Sequence, residues 1–450
     1  MTQAPHESHG SLSVLDTAST FCDSVPQRKG VRKMSQKVVV VHGGARDAYQ
    51  VALALSDAGM LEMLVTDLFW PADKDWIRWT SKYVPGIFLS LLHQRSEPRL
   101  PSSRVLNCIM AGAKTLLLDR APQLSFDLRR RAIRSADSTL GRTAGRIATQ
   151  SNSGLLSYSY FAYDAFRNFN RAGILFQVHP HPATTRRLLS EELAAHPECA
   201  DSLRQEWELS LPEEDFQHLV DEPALAARFL CASSFTRRSL VENGVSNSSI
   251  RVVPYGVDLE EFQPDLDRRP SKQDKLHLLF VGRINQRKGL KYLLDALRLL
   301  RTDQIELTIC GRVVDNLDLF RPFADRIRIR SFVTSSELKA AYQSADLFVL
   351  PSVVEGFGQV LLEALASGLP ILSTTHTAAP DLIDDGVEGF IVEPRKPDLL
   401  AEHIEWALAH RTELEAMRHR ARIRATQFTW EKFRKGIVSA VADFMPELYG

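Results

Sequence analysis

Two glutamates, Glu355 and Glu363, stand eight positions apart in "PSVVEGFGQVLLEALASGLPI", on either side of the turn that opens an otherwise apolar helix. Around Glu363 the residues Val360, Leu361, Leu362, Ala364, Leu365 and Ala366 are apolar on every side, so this helix is expected to be buried. A carboxylate buried without a partner is costly enough to take up a proton, so Glu363 needs hydrogen bonds from fixed donors. A ribose diol supplies two such donors in suitable geometry; an internal ion pair with an arginine is the alternative. Glu355 opens "EGFG", where two glycines let the backbone approach a ligand and the first-turn amides face whatever lies in front. Such a helix end favours anions, phosphate above all.

A second anion signal is "FVGRINQRKGL", an apolar strand, Gly282, then Arg283 and Lys288 in the loop at its carboxyl end. Ligands of open α/β sheets bind at such edges, and two cations five residues apart can clasp a diphosphate; a solvated loop is the alternative. A third is "VHGGARDA", which places His42, Gly43 and Gly44 in a strand-to-helix turn. It is not the G-x-G-x-x-G fingerprint, and no acid is read as closing the next strand, so a dehydrogenase is a poor fit. "QVHPHP" brings His179 and His181 to a strand end, where the proline-rich sequence also reads as a plain loop.

These loops need a parallel α/β frame. "KVVVVHGGARDAYQVALALSDAG" reads as buried strand, tight turn and helix, "LEMLVTDLF" as a second strand, and "AGILFQVHPHP" and "ARFLCASSF" as two more. After the hydrophilic "QPDLDRRPSKQDK" the rhythm restarts with "LHLLFVGR", then "QIELTICGR", "RIRIRSFV", "ADLFVLPS", "PILST" and "GFIVEP". Two doubly wound domains fit this pattern: 36–258 and 259–425. Residues 426–450, with Trp430 and Phe433, read as an amphipathic helix, and residues 1–35 as a disordered tail. From Trp76 to Arg146 strand signals fade and thirteen Lys or Arg face four acids, with Trp76 and Trp79 at the start. That skew suits a basic helical insertion, either a membrane-surface patch involving Arg129, Arg130, Arg131 and Arg134 or a solvated face.

Lysine plus arginine total 55 and aspartate plus glutamate 55, a balance that argues against a nucleic-acid binder and against an acidic disordered chain. The five cysteines form no C-x-x-C pair, which suits a reducing, cytoplasmic compartment. The start of the chain has no signal-peptide pattern and no run of about 18 apolar residues occurs.

Taken together, "FVGRINQRKG", "ADLFVLPSVVEGFGQVLLEALASGLPILST" and "GVEGFIVEP" resemble the retaining glycosyltransferases of family 4, closely over residues 230–425 and loosely over 37–230. The resemblance implies a GT-B fold, two Rossmann-like domains facing across a cleft. It implies that Glu363 binds the ribose, that Glu355 and the amides of Gly356, Phe357 and Gly358 meet the donor sugar and distal phosphate, and that Arg283 and Lys288, after Gly282, neutralise the leaving diphosphate. It further implies that Gly43 and Gly44 admit acceptor and diphosphate, that His179 contacts the donor sugar, and that the last helix crosses back to the first domain. Arg237 near the acceptor or phosphate, and the backbone at Phe332 and Val333 near the base, are placed by position alone.

The activity implied is retaining transfer of a hexosyl unit from a UDP- or GDP-linked sugar to a saccharide or lipid-linked acceptor, in cell-surface or exopolysaccharide synthesis. The alternative is a non-catalytic nucleotide-sugar-binding protein of the same fold. No cofactor or divalent metal is expected, since a helix end, Arg and Lys stand where other transferases use Asp-x-Asp; "DKD" at 73–75 and "DLD" at 265–267 lie in polar or proline-flanked loops. A cytoplasmic protein, peripheral at the inner face of the membrane if the 76–146 region binds lipid, completes the expectation.

Overall fold

Short strands rich in Val, Ile, Leu and Phe, buried on both faces, build two parallel sheets. The computed structural model describes residues 37–71, 92, 94–109, 111–112, 126–265, 275–314 and 317–449. The amino-terminal tail, Trp76, Trp79 and Asp73 to Asp75 lie outside the described residues.

The first sheet contains β1 (Val38–Val41), β2 (Leu61–Thr66), β3 (Val105–Asn107), β4 (Gly154–Tyr158), β5 (Gly173–Gln177), β6 (Ala226–Cys231) and β7 (Ile250–Val252), in the spatial order β3-β2-β1-β4-β5-β6-β7. The second contains β8 (Leu276–Val281), β9 (Ile305–Cys310), β10 (Ile327–Arg330), β11 (Leu347–Leu350), β12 (Ile371–Thr374) and β13 (Gly389–Val392), ordered β10-β9-β8-β11-β12-β13. Within each sheet neighbouring strands pair in parallel. Strand order therefore reverses between β1 and β4 in one sheet and between β8 and β11 in the other. Chain leaving the carboxyl ends of adjacent strands diverges there, which opens a crevice.

The helices that matter for that crevice are α1 (Gln50–Asp57), α2 (Phe126–Gln150), α3 (Ala162–Arg167), α4 (Pro182–Ala195), α5 (Ser234–Glu242), α6 (Leu290–Leu299), α7 (Gln359–Ala366), α8 (Arg411–Ala425) and α9 (Trp430–Tyr449). The stretch read as strand-poor holds β3 and α2. Its three-residue strand sits at a sheet edge with an unburied pattern, too short for any alternation to register.

The described residues form one compact unit. Its two main cores exchange elements. Leu188 and Leu189 of α4 and Phe235 of α5 pack into the core of the second sheet, while Phe433, Ile437, Val441 and Phe444 of α9 pack into that of the first. The chain crosses at Val257, whose N–H donates to Phe428 O at 2.9 Å, beside Gly256, where a Cβ would stand 2.2 Å from Trp430 N. Buried Glu192 of α4 fastens the halves again: it accepts from Tyr292 and Gln286 and pairs with Arg395.

Two arginines proposed to face lipid do otherwise. Arg130 and Arg134 are buried and donate to Gln205 O and Tyr160 O, each at 2.8 Å, because α2 lies over the 200–215 segment. They brace the fold and are not available to headgroups. Among the described residues no helix is long and apolar enough to cross a membrane.

Candidate active site

The crevices of the two sheets face one another and merge into a cavity of about 620 Å³. On the second sheet's side, β8 ends at Gly282 and hands the chain to Arg283, then to a turn capped by Asn285, whose side chain accepts from the Lys288 amide. Gly289 follows at φ 72°, where a Cβ would lie 1.9 Å from Pro351 O, so only glycine lets this turn press against the loop leaving β11. The close approach sets Lys288 Nζ in contact with the Glu355 carboxylate. Glu355 is held in turn by its amide, which donates to His376 O at 3.1 Å.

Burial, then the cations Arg287 and Arg283, pull the Lys288 ammonium down to about 7, an effect the nearby carboxylate of Glu206 opposes. Arg287 is fully engaged: it donates to Glu206 at 2.9 Å, Glu208 at 3.4 Å and Val354 O at 3.2 Å. Arg283 lines the same cavity, exposed, and meets no carboxylate among the described residues.

Of the "EGFG" glycines, Gly356 packs on the first domain: a Cβ there would stand 2.3 Å from Val178 O, and its carbonyl accepts from Ser233 at 2.5 Å and Thr236 at 3.1 Å. The ring of Phe357 is buried in the core, edge-on to Tyr255, so only its backbone amide, the group singled out from the sequence, is offered to a ligand. Among the described residues nothing accepts from the amides of Gly356, Phe357 and Gly358, which leaves the turn before α7 a row of free donors.

Glu363 lies outside the lining of this cavity. No arginine pairs with it among the described residues: Tyr342 OH donates to Oε2 at 2.8 Å, and burial pushes the carboxyl upward. Val333 packs against the second core beyond the end of β10, also outside the cavity, beside Phe332, which is 92% exposed. Arg237 bonds Asn247 at 2.7 Å and does not line the cavity either. Val333, Glu363 and Arg237 are thus not brought to the Lys288–Glu355 pair.

On the first sheet's side, β1 ends at His42, and Gly43 and Gly44 line the cavity. A Cβ on Gly43 would crowd the Phe161 ring at 3.1 Å, and Gly44, at φ 75°, donates its N–H to Asp67 at 2.8 Å. Asp67 follows β2 but does not play a ribose-binding part. It is bound by Gly44 and by Arg95 at 3.0 Å, and is therefore not free for a ribose. Beyond Gly44 the chain makes a left-handed turn in which Asp47, Ala48 and Tyr49 have φ 44°, 49° and 62°. Such residues cost about 1–2 kcal/mol each and persist only where surroundings over-determine them.

His179 reaches the cavity from the end of β5, its ring edge-on to Tyr160 at 5.9 Å. Burial and then Arg287, Arg46, Lys288 and Arg283 hold its pKa well below the ordinary range, so the ring is neutral and Nδ1 has no partner among the described residues. His181 instead caps α4, accepting from the Ala183 amide, buried and pushed down to about 4. The structure thus joins Gly43, Gly44, His179, Gly282, Arg283, Lys288 and Glu355 around one space.

It adds residues that the sequence reading missed. Arg287 stood inside "NQRKG" and Arg46 inside "GGAR", adjacent to residues already singled out. Arg95, Asp137 of α2, Tyr160, Glu206 and Glu208 carry no local signal. Asp137 has no hydrogen-bond partner among the described residues, and burial lifts its carboxyl to about 7. No group of three His, Cys, Asp or Glu among the described residues is placed to hold a metal, and Asp267 of "DLD" lies outside them.

Residues 262–425 match the family model described as Glycosyl transferases group 1. The chain is 33% identical over 237 residues to a D-inositol 3-phosphate glycosyltransferase of Paenarthrobacter aurescens, a match covering 49% of this chain and 57% of the relative. It is 30% identical over 201 residues to the amylovoran biosynthesis glycosyltransferase AmsK of Erwinia amylovora, covering 41% and 49%. These alignments span about half the length of the curated relatives. Among solved structures, sucrose-phosphate synthase from Thermosynechococcus elongatus superposes with TM-score 0.62 at 18% identity, over 92% of this chain and 100% of that one. Anabaena HepE in complex with UDP and glucose superposes with TM-score 0.58 at 16% identity, over 90% and 99%.

Proposed function

We propose, from the premise that residues 262–425 are a domain of the glycosyl transferases group 1 family within a GT-B fold, that the protein moves a hexosyl unit from a nucleotide sugar to a hydroxyl acceptor with retention of configuration. The observation that carries this reading is the meeting of Lys288 with Glu355 at one wall of the cleft, beside an Arg283 that no carboxylate among the described residues neutralises. A diphosphate entering there would draw Lys288 from its carboxylate partner and give Arg283 the counter-charge it lacks.

In this reading the bond from the anomeric carbon to the diphosphate oxygen lengthens while the acceptor oxygen approaches from the same face. The acceptor's proton passes to the departing diphosphate, and the new glycosidic bond forms. The chain's part is positioning and charge stabilisation. Lys288 and Arg283 take up the charge growing on the leaving group, the free amides before α7 donate to the distal phosphate, and Glu355, released from Lys288, accepts from sugar hydroxyls. Neutral His179 offers an unpartnered nitrogen to the sugar. No step calls for a divalent metal, and turnover is expected to survive EDTA.

UDP accompanies HepE in its solved complex, so UDP-sugars head the donors to try, followed by GDP-sugars. The named roles of the relatives, in inositol phosphate glycosylation and in amylovoran synthesis, make phosphorylated polyols and surface-polysaccharide precursors the acceptor classes of choice. The test is release of free nucleotide from a panel of nucleotide sugars by wild type and by Lys288→Ala. Loss of one such stabilising contact typically lowers turnover about 10²-fold or more. Equal turnover in the two proteins would overturn the leaving-group role.

A further inference from the structure

We infer that Arg46 is an anion-binding residue of the cleft, a guanidinium that grips a phosphate of the ligand from the first domain's wall while Arg283 faces it from the second. The inference rests on the reading of the cleft as a nucleotide-sugar site and adds to it a residue that neither motif nor resemblance supplied.

Its basis is the way the turn is fastened. Tyr158 OH donates to Asp47 at 2.6 Å, Tyr49 OH donates to Leu68 O at 3.2 Å, and Gln50 is reached by Arg434 of α9 at 2.7 Å. Asp47 and Tyr49 of this left-handed run, and Gln50 after it, are therefore anchored, and the strain is spent on holding one position of the chain against the cavity. The side chain presented there is not anchored. Among the described residues Arg46 forms no hydrogen bond and no ion pair, in contrast to the two neighbouring arginines of the cavity, Arg95 and Arg287, which carboxylates hold.

Most carboxylates near it among the described residues are already engaged. Asp67 is bound by Arg95, Asp47 by Tyr158, Glu206 and Glu208 by Arg287, and Glu355 by Lys288. Asp137 lines the same cavity and its charge is felt by Arg46, yet the two do not close to ion-pair distance. Arg46, Arg283 and Lys288 nevertheless line one cavity together with His179, so the three cations border a common space from both walls. An unpaired guanidinium on each side of one space suits a group bearing several negative oxygens, and guanidinium matches phosphate in planar, two-point fashion. The phosphate belongs either to the donor diphosphate or to a phosphorylated acceptor.

Calorimetric titration of the full chain at low salt separates these cases. Inorganic pyrophosphate and UDP are titrated into wild type, Arg46→Gln, Arg46→Lys and Lys288→Ala; inorganic phosphate is then titrated into each protein saturated with UDP. Arg46→Gln is expected to weaken pyrophosphate and UDP about tenfold, with Arg46→Lys between it and wild type and Tm unchanged, because no internal contact is lost. Unchanged pyrophosphate and UDP affinity, with phosphate binding to the UDP complex lost, supports the same residue acting on an acceptor phosphate. If Lys288→Ala weakens pyrophosphate while Arg46→Gln matches wild type in all three titrations, the cleft reading stands and the inference falls. If wild type binds neither pyrophosphate nor UDP, both fall together.

Discussion

At the scale of single residues, the cavity contains arginines of two kinds, and they should answer differently to removal. Arg287 neutralises two buried carboxylates and also bonds a carbonyl. Arg287→Ala would leave those charges uncompensated and is expected to cost about 3–5 kcal/mol. Arg283→Ala breaks no internal pair and should shift stability by under about 0.5 kcal/mol while lowering nucleotide release. Urea melts beside the release assay read the contrast, and equal melts would sink it. The buried histidine His181 gives a pH signature. Its folded pKa of about 4 lies below the ordinary 6.5, so between those values the unfolded chain binds the extra proton. The stability this neutral ring contributes is complete above pH 6.5 and is lost as the pH falls toward 4. His181→Asn, which keeps an acceptor for the Ala183 amide, should match wild type near pH 7. At pH 5 it should be relatively more stable by up to about 2 kcal/mol. Parallel urea melts at the two pH values check the sign. Arg283, Lys288, Glu355 and His179 were legible because each sits in a short loop after an apolar strand, where charge has few structural reasons to be. Glu206, Arg95 and Asp137 were not, for their role depends on which distant loop each meets.

At the scale of elements, the first wall of the cleft depends on how closely α2 seats on α3. A Cβ on Gly141 would lie 2.6 Å from Phe161 O, and one on Gly145 would lie 2.3 Å from Ala165 O. The two glycines are thus the contact surface of α2, and Asp137 is carried one turn beyond them. Gly145→Ala should force the helices apart, costing about 1–3 kcal/mol, and weaken nucleotide binding by moving Asp137 and Leu140. A thermal melt with UDP titration reads both effects; an unchanged melt would mean that the helices yield freely. The sequence made most strands plain, because a run such as "VVVV" or "LHLLFV" buried on both faces has no other reading near glycine. It hid the packing of α2, since a glycine inside a helix signals weakness locally and close approach only once the neighbour is known.

At the scale of the whole molecule, α9 belongs to the second half by chain and to the first by packing. Phe433, Ile437, Val441 and Phe444 are each nearly or fully buried against the first core, and burying such a side chain is worth about 1.5–3 kcal/mol. Four of them rival the net stability of an ordinary domain, about 5–15 kcal/mol. A chain ending at residue 429 should therefore lose the cooperative melt of the first half, as followed by circular dichroism; a retained melt would show that the helix is dispensable. The amphipathic face of "FTWEKFRKGIVSAVADFM" did not by itself tell which sheet would receive the helix; the family resemblance did, and the helix packs on the first core as it implied. The crossing at Val257 and Phe428 has a last consequence. Because one half lends its final helix to the other, severing the backbone between residues 265 and 275 would not set two domains adrift. The pieces would remain clasped, and the protein should be recoverable from two separately encoded fragments that complete each other only when both are made.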